Sequence, residues 1–123
     1  MNKNSFGEFV VNKRQENKIS ARNLALKLNI SSNYLCEIEK GRKIFVSDEI
    51  LENMKTLLCD NLDEELLFYD LIAFEQNTIP KDIFQYVLKK KYVQKAIRLA
   101  QKLNISEQEW NVFITNICNT YQK

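Results

Sequence analysis

Residues 20–41 read Ser20-Ala-Arg-Asn-Leu-Ala-Leu-Lys-Leu-Asn-Ile-Ser-Ser-Asn-Tyr-Leu-Cys-Glu-Ile-Glu-Lys-Gly41. Ser20 is a plausible N-cap for a helix that carries Leu24, Ala25 and Leu28 on one face. Asn29 follows, and asparagine is second only to glycine as a left-handed C-cap. Ser31 or Ser32 then caps another helix, with Leu35 and Ile38 inward and Gly41 at its end. Two short helices are therefore joined by a turn of three or four residues. A tight crossing makes three demands, and all are met. Ala25 is small enough for close approach, Asn29 tolerates the left-handed turn, and Leu24, Ile30, Leu35 and Ile38 lock the crossing angle.

The same signals predict helices on either side. Phe6, Phe9, Val10 and Lys13 with Arg14 recur at i, i+3, i+4 spacing behind Ser5, which predicts a helix over about 6–17. Ser47, followed by Asp48 and Glu49, opens a helix bearing Ile50, Leu51, Met54, Leu57 and Leu58. The next runs from about 62 to 74, and its stretch from Leu66 to Phe74 is apolar almost all round, the mark of a helix buried on several sides. Pro80 reads as the first residue of a sixth helix, where its missing N–H costs nothing. Residues 92–103 form a seventh, with Val93, Ile97, Ala100 and Leu103 on one stripe. Ser106 and Glu109 make a capping box before a last helix. Its apolar positions, Trp110, Phe113, Ile114, Ile117, Cys118 and Tyr121, form the most regular ladder in the chain, and Trp110 with Phe113 reads as core rather than as a ligand cage. No internal repeat is evident. The expected fold is all-α, with a first domain over 1–60 and a helical C-terminal region over 61–123.

Composition narrows the chemistry. The chain has 123 residues, 45% hydrophobic and 28% charged, enough for one soluble domain rather than a disordered tail. Gly7, Gly41 and Pro80 are the only residues of their kinds, too few for the turns of a β-rich fold and too scattered for a phosphate-cradling glycine loop. Without histidine there is neither a Cys/His zinc site nor His-based acid–base catalysis. With no nucleophile motif or clustered acids either, no enzyme, cofactor or metal is expected. Cys36, Cys59 and Cys118 are odd in number and far apart, which suits reduced packing thiols. Met1 to Phe6 lacks the apolar core of a signal peptide, and no apolar run approaches the ~18 residues of a membrane span. A cytoplasmic protein is expected.

Charge is unevenly spread. Net charge is +2 overall, yet residues 1–58 are +3, residues 59–78 carry six acids and no base, and residues 79–123 are +5. A modest total therefore leaves room for a local basic surface.

The element at 20–41 has helix-turn-helix geometry. Through Leu24-Ala25, Ile30-Ser31, Tyr34-Leu35 and Ile38-Glu39-Lys40-Gly41-Arg42, residues 6–58 resemble the lambda-repressor-like, Cro/Xre type of helix-turn-helix DNA-binding domain. They depart from it at Asn29, where glycine is usual. They depart again at Lys43-Ile44-Phe45-Val46, where a polar, proline-containing loop is common. The resemblance implies that the helix from Ser32 to Lys40 enters the major groove N-terminus first. Ser32, Asn33, Tyr34 and Glu37 would face base edges, Asn being able to read adenine and Glu to accept from cytosine N4. Ser20, Arg22, Ser31, Lys40, Arg42 and Lys43 would hold phosphates. Arg14 and Glu39 would form a structural pair. Plainer readings remain beside these: Ser31 and Ser32 as caps alone, Tyr34 as packing.

The resemblance further implies a repressor that reads a palindromic operator in double-stranded DNA as a homodimer, with recognition helices ~34 Å apart. The C-terminal helices could supply the dimer contact or simply complete one core. They could instead bind another protein, as in an antitoxin or immunity-type protein that regulates its own synthesis. Lys89, Lys90, Lys91, Lys95, Arg98 and Lys102 form a basic cluster. It reads as a solvated face, as a contact to DNA flanks, or as a match for the acidic stretch between Asp60 and Glu75.

Overall fold

The computed structural model describes residues 5–43 and 45–122. Residues 1–4, on which most of the expected lack of a leader rests, lie outside that range, as do Ile44 of the departing loop and Lys123. The described residues form eight helices and no strand: α1 (Phe6–Glu16), α2 (Ala21–Leu28), α3 (Ser32–Glu39), α4 (Asp48–Leu58), α5 (Leu62–Gln76), α6 (Lys81–Leu88), α7 (Lys91–Leu103) and α8 (Glu107–Tyr121). The fold is all-α.

Short polar side chains start most of these helices. Ser5, Ser20, Ser31, Ser47, Asn61 and Ser106 each accept the N–H three residues on, satisfying one of the free donors of the first turn. Ser31, and not Ser32, is the cap of α3. Capping boxes close at Ser5–Glu8 and Ser106–Glu109. Pro80 stands one residue earlier than expected: its carbonyl accepts from the Phe84 N–H at 2.9 Å, so it precedes α6 and is not its first residue. Its missing donor is equally harmless there.

One compact unit ends at Phe84, and a second begins at Gln85 within α6. The core of the first is Phe6, Phe9 and Val10 of α1, Leu24, Ala25 and Leu28 of α2, Leu35 and Ile38 of α3, and Val46 with Met54 and Leu58 of α4, closed by Phe68 of α5. Phe68 meets Phe6 and Phe9 edge-on at 5.2 and 6.1 Å, the offset geometry that ring quadrupoles favour. α5 therefore belongs with the first unit, which extends past the expected boundary at 60/61. Nor is it buried on several sides. Phe68 and Ala73 are buried, while Leu62, Leu66, Leu67 and Phe74 are exposed. Its position against α1 covers one face only.

Gly7 sets how closely α1 can approach the end of α3. A Cβ there would lie 2.8 Å from the Ile38 carbonyl oxygen and closer still to that of Glu39. Glycine inside a helix costs up to ~1 kcal/mol relative to alanine, and here contact between backbones requires it.

Among its described residues the second unit holds no buried one. The stripe of α7 and the ladder of α8 form as helices, but the structure does not make them core. Trp110 and Phe113, read as core, are exposed and pack edge-on against each other at 6.1 Å. Gln94 donates to the Val87 and Leu88 carbonyls at 2.9 and 3.2 Å and so tidies the end of α6.

The chain also contains a repeat, contrary to expectation. Leu24-Ala-Leu-Lys-Leu-Asn-Ile-Ser31 returns as Leu99-Ala-Gln-Lys-Leu-Asn-Ile-Ser106, identical at seven of eight positions. The backbone repeats as well. Asn29 has φ 57° and ψ 44°, and Asn104 has φ 55° and ψ 52°. The N–H groups of Ile30 and Ile105 donate at 3.0 Å to the carbonyls of Ala25 and Ala100, which is the Schellman closure of a helix C-terminus. A span of eight residues within differing surroundings is too short for the hydrophobic period to reveal it.

Candidate nucleic-acid interface

Burial of Leu24, Ala25 and Leu28 against Leu35 and Ile38 fixes α2 across α3. Arg14 braces the far end of α3. Its Nε donates to Glu39 Oε2 at 2.9 Å, its second terminal nitrogen donates to Oε1 at 3.3 Å, and a third bond at 3.3 Å reaches the Ile19 carbonyl. A fork of this kind holds both position and orientation. Residues at the start of α3 are left free to face outward.

Ser31, Ser32 and Asn33 are exposed there. The Ser31 hydroxyl oxygen accepts from the Tyr34 N–H at 3.0 Å, so the cap uses that oxygen while the hydroxyl proton remains able to donate. Tyr34 is half-buried, its ring against the core and beneath the Lys43 ammonium, which stands 5.4 Å from the ring centroid. Packing and exposure are thus shared within one side chain. Glu37 takes Arg42 at 3.3 Å in an exposed ion pair, and its carbonyl accepts from the N–H groups of Arg42 and Lys43 at 2.9 and 3.2 Å. The loop after α3 is therefore folded back, and two expected phosphate contacts, Arg42 and Lys43, lie against two expected base contacts, Glu37 and Tyr34. Lys40 is exposed at the C-cap of α3. On α2, Ser20 caps the helix by accepting from Asn23 N–H at 3.1 Å, and Arg22 is exposed within its first turn.

Phe45 is absent from the expected set, yet it is 70% exposed beside this cationic loop. Lys13, in the sequence a spacing residue of the α1 face, has a larger part in the structure. It is buried, and its ammonium bonds Glu64 at 2.7 Å and Glu16 at 3.0 Å, with Asp60 at 3.6 Å. The hydrogen bond to Glu64, then that to Glu16, holds the ammonium well above the ordinary lysine range although burial opposes it. Glu64 in turn is held below the ordinary carboxylate range, first by Lys13 and then by the Asp60 N–H. The sequence does carry a signal for this cluster: Lys13 continues the face of Phe6, Phe9 and Val10, and an acidic run follows at 60–65.

A second network joins α4 to α5. Lys55 bonds Tyr69 Oη and Glu52 at 3.0 Å each, and the Tyr69 hydroxyl donates to Glu52 at 2.9 Å. Bonding to Tyr69 and then to Glu52 raises Lys55; bonding to Lys55 and then to Tyr69 lowers Glu52. Burial pushes the Cys59 thiol up to about 11, reinforced by Glu64, which leaves it an unreactive packing group near neutrality. Both networks hold the first unit together and stand apart from the exposed start of α3.

Among the described residues, no three of His, Cys, Asp or Glu are placed to share a metal ion. No helix of the described residues is long and apolar enough to cross a membrane. No protein family model, curated protein or solved structure matches this chain.

Proposed function

We propose that this chain is a sequence-specific DNA-binding transcriptional regulator of the lambda-repressor-like, Cro/Xre type, acting as a repressor in the cytoplasm by binding and not by catalysis. One observation carries the reading. α2 and α3 are locked by a buried crossing and the Arg14–Glu39 fork, while α3 exposes Ser32 and Asn33 in its first turn and carries Lys43 over Tyr34 and Arg42 against Glu37. An α-helix presented by its N-terminus, with cations at its flank, suits a major groove edged by phosphates.

In this reading Ser32, Asn33, Tyr34 and Glu37 meet base edges, and Ser20, Arg22, Ser31, Lys40, Arg42 and Lys43 meet phosphates. Binding would release Glu37 from Arg42, and Tyr34 from Lys43, so that each cation exchanges its present partner for a phosphate. Exposed pairs of this kind are worth only ~0–1 kcal/mol, so the exchange is inexpensive.

The C-terminal helices would form a homodimer through α8. From Trp110 to Gln122 the chain has no charged side chain, so a two-fold axis brings no like charges together. Its half-exposed aromatic and aliphatic ladder offers several hundred Å2, against the ~800 Å2 per partner of a standard interface. The same uncovered ladder favours a second reading, an antitoxin or immunity-type protein whose α8 binds a different protein.

The test is anisotropy binding to the DNA upstream of its own coding sequence beside a scrambled duplex. A preference of ~1000-fold or more at physiological salt is expected for a specific regulator. Asn33→Ala should narrow that preference, whereas Lys43→Ala should weaken both duplexes alike. Equal binding of both duplexes by the wild type would remove the regulator reading. A monomer at micromolar concentration in sedimentation would remove the homodimer.

A further inference from the structure

We propose that the cationic face of α7 is a second DNA-backbone contact, separate from α3 and resting on the DNA-binding reading. Lys91, Lys95, Arg98 and Lys102 recur at i, i+4, i+7 and i+11, which on a helix aligns them within ~60° of arc over ~16 Å. All four are exposed, and none is ion-paired to a carboxylate among the described residues. No acid occurs anywhere from Ile83 to Ser106. With Gln94 and Leu99 these side chains line a shallow, open groove of about 300 Å3.

An ordinary solvated helix face mixes signs, because like charges at i, i+3 or i, i+4 cost ~0.2–0.5 kcal/mol per pair. Here three such neighbours, Lys91–Lys95, Lys95–Arg98 and Arg98–Lys102, repel without relief. A polyanion removes that repulsion and gains from releasing its own counterions. The apolar arc of α7, with Val93, Ala96, Ile97 and Ala100, lies on the opposite side of the helix by the 100° step. A protein that covers the apolar arc therefore leaves the cations facing outward, so a backbone contact and a protein contact are compatible. α8 is not the groove-entering partner of this face: its first turn carries Glu107 and Glu109, which phosphates would repel.

The test is the salt dependence of binding to the upstream and scrambled duplexes by the full-length protein. K95Q/R98Q/K102Q keeps helix propensity and relieves repulsion, so far-ultraviolet circular dichroism should be unchanged. If three phosphate contacts are lost, the slope of log K against log salt falls by ~2–3, and the preference for the upstream duplex is retained. K95R/K102R should keep the wild-type slope. An unchanged slope in the triple variant overturns the proposal; an unchanged slope together with lost self-association assigns the stripe to an acidic protein face instead. Should the wild type bind both duplexes alike while the triple variant still lowers the slope, the α7 contact stands and sequence reading by α3 falls. Should the wild type bind neither duplex, both fall.

Discussion

The same eight-residue phrase occurs twice, and its two copies end in opposite surroundings. Around Asn29, Leu24 and Leu28 are 0% and 3% exposed; around Asn104, Leu99 and Leu103 are 47% and 66% exposed. The turn is nevertheless the same in both, down to the left-handed asparagine and the capping serine. Local hydrogen bonding is thus indifferent to burial. What differs is the neighbours: α1, α3 and α4 cover the first copy, while the unit containing the second has no buried residue among those described. Identical apolar side chains become a core in one place and an uncovered surface in the other.

Truncation should expose this contrast most strongly. Leu24→Ala should cost ~2–5 kcal/mol, as for other fully buried leucines, and lower the melting temperature by 10 °C or more. Leu99→Ala should cost under ~1 kcal/mol in dilute solution. A concentration-dependent loss at Leu99 would show that another chain covers that face of α7, which would sharpen the comparison.

Two further substitutions act on the first unit alone. Arg14→Ala removes charge-assisted bonds to Glu39 at the end of α3 and should cost ~2–3 kcal/mol in urea unfolding, with loss of the proposed DNA binding alongside. Unchanged melting would contradict the bracing role. Gly7→Ala should cost ~1–3 kcal/mol although alanine favours helix, because the new methyl meets the α3 carbonyls. A stabilised variant would mean that α1 and α3 do not sit this close.

The smallest expected effect is on pH dependence. Glu64 is lowered from 4.5, so its contribution is present above that value and lost as pH falls through its folded value. Lys13 is raised from 10.5, so its contribution is full below that value and lost as pH rises through its folded value. The cluster therefore supports the first unit most fully between about pH 4.5 and 10.5. Glu64→Gln should reduce the acid limb of the urea midpoint without removing it, since the lowered Glu52 contributes with the same sign. An identical acid limb in the variant would exclude the Lys13–Glu64 bond as a source of stability.

Much of the candidate interface was legible because its signals are short. Ser20, Asn29, Ser31 and Gly41 act through bonds or dihedrals within about four residues, and each stands at the boundary where its chemistry puts it. The folding back of Arg42 onto Glu37 and of Lys43 onto Tyr34 was not legible, since it depends on the path of an irregular loop. Gly7 and Lys13 were overlooked for a related reason. Each looks unremarkable within α1 and acquires its role only from a distant partner, Glu39 for Gly7 and Glu64, 51 residues on, for Lys13.

That the chain is helical, where its helices begin and end to within a residue or two, and which faces are apolar can be read from the residues alone. Those properties follow from unpaired N–H and C=O groups and from side-chain period, both settled within a turn or two. Tertiary structure alone decided which apolar faces became core, that α5 joins the first unit, and that Lys13 is buried among acids. Burial depends on which surfaces meet across the chain, and two copies of one octapeptide with different neighbours show that composition cannot supply that information.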